Sequence, residues 1–216
     1  MKLSLIVPTL NRLDALKTCI ESLRVYAPPF EHEIIVIDGG SVDGTAEWLC
    51  EQKDLVILQH NRRTGCTKAF NDGFRISSGE YCAQLSDDVE VVDGCLVMAV
   101  ELLDSDPQIG QVVIPHKEPK WHRSAVPRFS TSKGSWPFAA FGVTRRALGD
   151  QVGWWGDYHH QYGDPELALK VMDAGYRIEA LKDTHIIHRP GPSEMRQHKP
   201  DRILFSSRWE DWEPPK

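Results

Sequence analysis

The strongest constraint on this chain is the run Ile34-Ile35-Val36-Ile37, which has no polar face. A strand that is apolar on both sides must be covered on both sides, and that needs helices above and below a sheet. The flanking sequence supplies them. Leu3-Ser4-Leu5-Ile6-Val7 predicts a strand closed by Pro8, and Leu13, Leu16, Ile20 and Leu23 follow at helical spacing with Asn11 as N-cap. Further helices are expected over 45–52, 67–76 and 94–103, and strands over 56–58, 81–85 and 112–114. This alternation predicts an α/β fold with a mostly parallel sheet between two helical layers. Ligands of such sheets lie beyond the carboxyl ends of the strands.

The second half reads differently. Residues 115–136 are rich in Pro, Lys, Arg, Ser and Trp with weak periodicity, which predicts a long functional loop. A strand is expected over 138–144. Asp164-Pro165-Glu166 opens a helix with Asp164 as its cap, running to about Ala174 and closed by Gly175. Short strands follow over 176–180 and 185–187. The tail carries Pro190, Pro192, Pro200, Pro214 and Pro215 and is expected to wrap the surface or to be partly disordered.

Composition narrows the function classes. The 25 Lys and Arg against 31 Asp and Glu give a net charge of −6, which argues against a protein held mainly by nucleic-acid phosphates. Five cysteines without C-x-x-C spacing predict a reduced, cytoplasmic protein rather than a disulfide or zinc scaffold. The N-terminal apolar run is too short for a signal peptide. No segment approaches the roughly 18 apolar residues that a membrane helix needs.

Each predicted strand end carries polar groups. These are Thr9-Leu10-Asn11-Arg12, then Asp38-Gly39-Gly40-Ser41-Val42-Asp43-Gly44-Thr45, then Asn61 to Gly65 running into Lys68, and Ser86-Asp87-Asp88. Singly, Asn11 and Ser41 are equally consistent with helix caps, and Gly39-Gly40 with a tight turn. Four clusters along one sheet edge point to a nucleotide. The edge has neither the G-x-G-x-x-G fingerprint nor a G-x-x-x-x-G-K-[ST] phosphate loop. Asp87 and Asp88 repel each other, and a divalent cation would offset that repulsion. Oxygen ligands of this kind suit manganese or magnesium, with substrate phosphates completing the shell.

With these residues in place the chain resembles the inverting family 2 glycosyltransferases, which have the Rossmann-like GT-A fold. The matching segments are Ile6 to Arg12, Val36 to Thr45, the N-x-x-x-G-x-x-x-A-x-N-x-G pattern from Asn61 to Gly73, Leu85 to Val89, Gly163 to Leu167, and Ala174 to Arg177. The resemblance covers roughly residues 3–190. It implies a nucleotide-diphospho-sugar donor, with UDP favoured, a divalent metal, and a glycan, lipid-linked or protein acceptor. By that similarity Thr9, Arg12 and Asp38 line the base and ribose pocket, Asp88 holds the metal with Asp87 beside it, Asp164 is the catalytic base, and His188 completes the metal or diphosphate site. Residues 1–114 would form the nucleotide-sugar-binding half, 115–190 the smaller acceptor-side and catalytic half of the same domain, and 191–216 a tail. The sequence departs from the family at Gly39, at Ser86 in the first position of D-x-D, and at Gly163 in place of the usual Glu beside the base.

The implied chemistry has physical demands. Charge develops on the departing nucleoside diphosphate, where a metal at Asp88 and a cation such as Lys68 or Arg62 would stabilise it. Asp164 would take the proton of the acceptor hydroxyl during in-line attack, with inversion at the anomeric carbon. Of the histidines at 185 and 188, an odd separation on a strand sends the side chains to opposite faces, and His188 is favoured. Among Trp121, Trp136, Trp154 and Trp155, Trp155 is the expected acceptor wall, with core packing as the alternative. Two other functions fit part of the pattern: a nucleotidyltransferase, and a catalytically inactive nucleotide-sugar-binding module.

Overall fold

Period-two alternation assigns the strand residues of this chain to two cores. The computed structural model describes residues 2–120, 122–191 and 199–215; Trp121 and Pro192 lie outside them. In β1 (Leu3–Thr9), Leu3, Leu5 and Val7 face one core and Ile6 the other. In β2 (His32–Asp38), Ile34 and Val36 join the first core and Ile35 and Ile37 the second. The apolar run at 34–37 is therefore buried on both faces because each face has its own helical cover. The first core is closed by α1 (Leu13–Val25) and α4 (Cys95–Ser105). The second is closed by α3 (Cys66–Ile76) and α6 (Gly163–Asp173).

The remaining elements, in chain order, are α2 (Thr45–Cys50), β3 (Leu55–Gln59), β4 (Tyr81–Gln84), β5 (Val89–Glu90), β6 (Ile109–Val113), β7 (His116–Lys117), β8 (Arg128–Thr131), β9 (Gly134–Pro137), β10 (Gly142–Arg145), α5 (Arg146–Val152), β11 (Arg177–Ala180), β12 (Ile186–His188) and α7 (Lys199–Trp209). The main sheet has the order β11-β6-β10-β4-β1-β2-β3, parallel except for β10, which runs antiparallel to both its neighbours. A small sheet of order β5-β12-β7 and the β8–β9 hairpin complete the chain. No helix among the described residues is long and apolar enough to cross a membrane.

Three expectations need correction. Asn11 does not cap α1: it adopts φ 53°, its side chain accepts a bond from Val42 N at 2.8 Å, and Arg12 occupies the cap position. Asp164 is not a cap either, because α6 starts at Gly163, two residues earlier than expected, with Tyr162 at its N-cap. The long loop and the tail are more ordered than their composition suggests. Residues 115–136 contain β7 and β8, with β9 begun, and residues 199–209 of the tail form α7, where Pro200 sits in the first turn and needs no N–H partner; residues 192–198 lie outside the described residues.

Candidate active site

Register alone brings the first polar clusters together. Thr9 pairs with Asp38 across the β1–β2 ladder. The β1–β4 ladder runs from Leu3 opposite Tyr81 to Ile6 opposite Gln84, and the same offset carried past its end sets Thr9 beside Asp87. There the Thr9 hydroxyl donates to Asp87 Oδ2 at 2.8 Å in a buried bond. Asp38 is buried, and its Oδ1 accepts the Ser41 N–H at 3.0 Å, which folds the turn after β2. Gly39 donates its N–H to the Thr9 carbonyl at 2.8 Å, and a Cβ at Gly39 would stand 3.2 Å from that oxygen. The two loops are then stitched by Asn11 N to Ser41 Oγ at 2.8 Å and Leu13 N to Asp43 Oδ2 at 3.1 Å.

The acidic pair has a partner that the sequence did not suggest. Arg12 places Nη1 3.0 Å from Asp87 Oδ1 and Nη2 3.0 Å from Asp88 Oδ2. The carboxylate repulsion expected to call for a cation is thus met by a guanidinium from the first loop. Both ends of Arg12, expected in the base and ribose pocket, lie on these two carboxylates. Burial pushes the Asp87 carboxyl up, to about 6, despite the neighbouring Arg12. Burial works the same way on Asp88, but His188, Ser86 and Arg12 outweigh it and hold that carboxyl down at about 2.

The β5–β12 ladder delivers His188. It lies opposite Val89, and Arg189 N donates to the Asp88 carbonyl at 2.8 Å. His188 Nε2 is 3.5 Å from Asp88 Oδ2. Two polar atoms here are buried without a hydrogen bond, Asp88 Oδ1 and His188 Nδ1. Such orphans cost free energy unless something binds them. The donor set of one carboxylate and one imidazole fits a divalent cation that takes its remaining ligands from phosphate and water. No group of three or more His, Cys, Asp or Glu side chains able to hold a metal occurs among the described residues.

Asp164, the second residue of α6, is partly buried, and burial pushes its carboxyl up to about 7. Its link to the acidic pair runs through Cys66, the first residue of α3. Burial raises the Cys66 thiol to about 12, and the charges of Asp164, Asp87 and Asp88 all add to that.

Other expected residues are placed differently. Lys68 is held by Asp72 at 2.7 Å, and Asp72 also receives Arg75 at 3.1 Å and His60 at 2.9 Å. Trp155 is 6 % exposed, and its indole packs on Phe70 with ring centres 4.1 Å apart. This corrects the expected acceptor wall, because the ring is a core element. Asn71 fixes it there by bonding both Trp155 N and O, at 3.2 and 3.0 Å. The missing Glu at 163 follows from the same packing: a Cβ on Gly163 would run into the Trp155 ring. The N-x-G end of the α3 pattern is likewise a packing device, since a Cβ on Gly73 would run into Ile6 of β1. Sequence reasoning missed Cys66, whose signal was only its place at the start of a helix after Gly65.

Residues 4–172 match the family model of glycosyl transferase family 2. The chain belongs to that family, and its fold is GT-A. The mannosyltransferase PcManGT of Pyrobaculum calidifontis, solved with GDP-Man and Mn2+, superposes with a TM-score of 0.74 at 20% identity, covering 99% of this chain and 66% of that one. TarS of S. aureus gives 0.72 at 20% identity, over 88% of this chain and 60% of the other. In sequence, the uncharacterized glycosyltransferase YibD of Escherichia coli is 37% identical over 93 residues, 42% of this chain and 27% of YibD. The GalNAc(5)-diNAcBac-PP-undecaprenol beta-1,3-glucosyltransferase of Campylobacter jejuni is 38% identical over 101 residues, 44% of this chain and 32% of that enzyme. The chain thus spans about a third or less of the length of these two relatives.

Proposed function

We propose that this chain transfers a sugar from a nucleotide-diphospho-sugar donor to a hydroxyl acceptor, with inversion, using a divalent cation. The observation that carries the proposal is the pair of buried atoms left without a hydrogen bond, Asp88 Oδ1 and His188 Nδ1, in a chain that matches the family 2 glycosyltransferase model. TarS was also solved in complex with UDP-GlcNAc, and PcManGT with GDP-Man and Mn2+, which supports a sugar nucleotide and a cation here. UDP is the donor nucleotide favoured.

The chain's own residues would divide the work. Asp88 and His188 would hold the cation, which when bound supplies positive charge for the departing diphosphate. Asp87, locked by Thr9 and Arg12, keeps Asp88 in place. Asp38 and the turn it builds would receive the nucleoside. Asp164, with a carboxyl near neutrality, would accept the proton of the attacking hydroxyl. Lys68 would add positive charge near the phosphates only by leaving Asp72.

A thermal-shift panel of nucleoside diphosphates with and without Mn2+ tests the donor side. A ligand that binds only the folded chain raises Tm. The expected result is a rise with UDP that requires Mn2+; a panel with no cation-dependent shift defeats the proposal. Proton coupling constants of the product test inversion.

A further inference from the structure

We propose that Asp201, on the C-terminal helix α7, is a positioning residue for Asp164. Asp201 is 4 % exposed, and its carboxylate collects three consecutive backbone N–H groups. His159 N donates to Oδ1 at 2.9 Å, and His160 N and Gln161 N donate to Oδ2 at 2.8 and 3.0 Å. Tyr162, Gly163 and Asp164 follow directly. The turn of chain that enters α6 is therefore wound around one side chain from the tail.

Two further contacts fix where that turn sits. A Cβ on Gly65 would run into the His159 carbonyl, so the turn lies against the start of α3, beside Cys66. On the far side, α7 grips the flanks. Arg208 Nη2 donates to Asp157 at 2.8 Å, and Glu166 Oε1 accepts from Arg208 at 3.2 Å, Trp209 Nε1 at 3.1 Å and the Tyr158 hydroxyl at 3.0 Å. Asp157 and Glu166 bracket the turn and Asp201 fills its middle.

The chemistry requires a carboxylate at 201. An ionised Asp only accepts, through two oxygens with room for several donors. Asn keeps the shape but offers one acceptor oxygen, and its NH2 would face an N–H. At least one backbone donor then loses its bond, and the turn relaxes. Asp164 sits three residues beyond Gln161, so relaxation there moves the carboxyl relative to Asp88.

The inference rests on Asp164 being the base, and the experiment separates the two. The full chain is assayed for UDP release from UDP-GlcNAc with Mn2+, and for GDP release from GDP-mannose. Turnover is expressed per nucleotide site counted by titration, so unfolded molecules drop out. Asp201→Asn is expected to lower kcat by about 10–10²-fold, the cost of misplacement on the order of an ångström, with donor KM unchanged. In an Asp164→Asn background the same substitution should cost nothing further, because its target is gone. Normal kcat per site in Asp201→Asn, or an equal loss in both backgrounds, overturns the inference and leaves the base assignment standing. Normal turnover in Asp164→Asn, or no turnover by the parent chain on either donor, overturns the assignment and the inference with it. Should Asp201→Asn yield no nucleotide sites, Arg208→Gln takes its place in the same cycle.

Discussion

Arg12 holds one oxygen of Asp88 at 3.0 Å while the other oxygen of that carboxylate is buried and unpaired. The guanidinium therefore satisfies the acidic pair in part and leaves one acceptor over. A cation arriving at Asp88 meets an oxygen that is already dehydrated. It also meets a positive neighbour, so Arg12 both prepares the site and weakens it.

Arg12→Gln should accordingly destabilise the metal-free chain. Breaking a fully buried ion pair costs about 3–5 kcal/mol. Arg12 is 31% exposed, and solvent screening reduces the expected loss to about 1–2 kcal/mol. That corresponds to roughly 2–4 °C in Tm per kcal/mol for a chain of this size. Mn2+ should restore more stability to the variant than to the parent. Melting curves with Mn2+ and with EDTA check both points, and equal Mn2+ responses would contradict the competition.

Asp164 gives a stability and an activity prediction from one carboxyl. Its proton is released near 3.8 in the unfolded chain and near 7 in the folded one. Between those values the folded state binds more protons, so its stability falls as pH rises. The favourable contribution is complete below the unfolded value and gone once pH passes the folded one. Asp164→Asn removes this penalty and should melt higher than the parent at about pH 8, with the gap closing toward pH 4. The same variant should lose about 10²–10⁴-fold in turnover, and the acid limb of the pH–rate profile should vanish with it. A variant that is inactive and less stable at the higher pH would indicate a structural role instead.

How much of this was legible in the sequence depends on what kind of contact each residue makes. The strands around Ile34 to Ile37 were legible because an unbroken apolar run states burial on both faces directly. Thr9, Asp38 and Asp87 were legible as a group because parallel register forces strand ends together. The pairing of Arg12 with Asp88 was not, since the residues are 76 apart and a loop conformation decides where the guanidinium reaches. Trp155 was misplaced because an aromatic beside a charged helix start reads the same on a surface or in a core. Only the close approach of Gly163 separates the two. Asp201 left no pattern at all: three N–H groups converging on one carboxylate are a product of tertiary folding.

Thr9 should behave as a support for Asp87 rather than as a ligand contact. Its hydroxyl is committed to a buried carboxylate. Thr9→Val keeps the shape and removes the donor, which should cost about 1–3 kcal/mol. Thr9→Ser keeps the donor and should recover most of that. Chemical denaturation of the three proteins measures the difference, and equal stability of the Val and Ser variants would show that the bond contributes nothing.

Position 163 carries glycine where the family resemblance leads one to expect Glu. Gly163 is buried against the Trp155 indole, and a side chain there would overlap the ring. Restoring the acid by Gly163→Glu should therefore damage the fold before it can affect chemistry. Overpacking typically costs about 1–3 kcal/mol, and burying an unpaired carboxylate adds to it. Shrinking the obstacle should help: Trp155→Leu alone opens a cavity and is destabilising, yet in the Gly163→Glu background it makes room. The two substitutions should be less harmful together than the sum of their separate effects, a coupling that neighbouring residues show at about 0.5–3 kcal/mol. Urea unfolding of the four proteins in the cycle measures it. Additive losses would mean that the indole and the glycine do not share the space that the structure gives them.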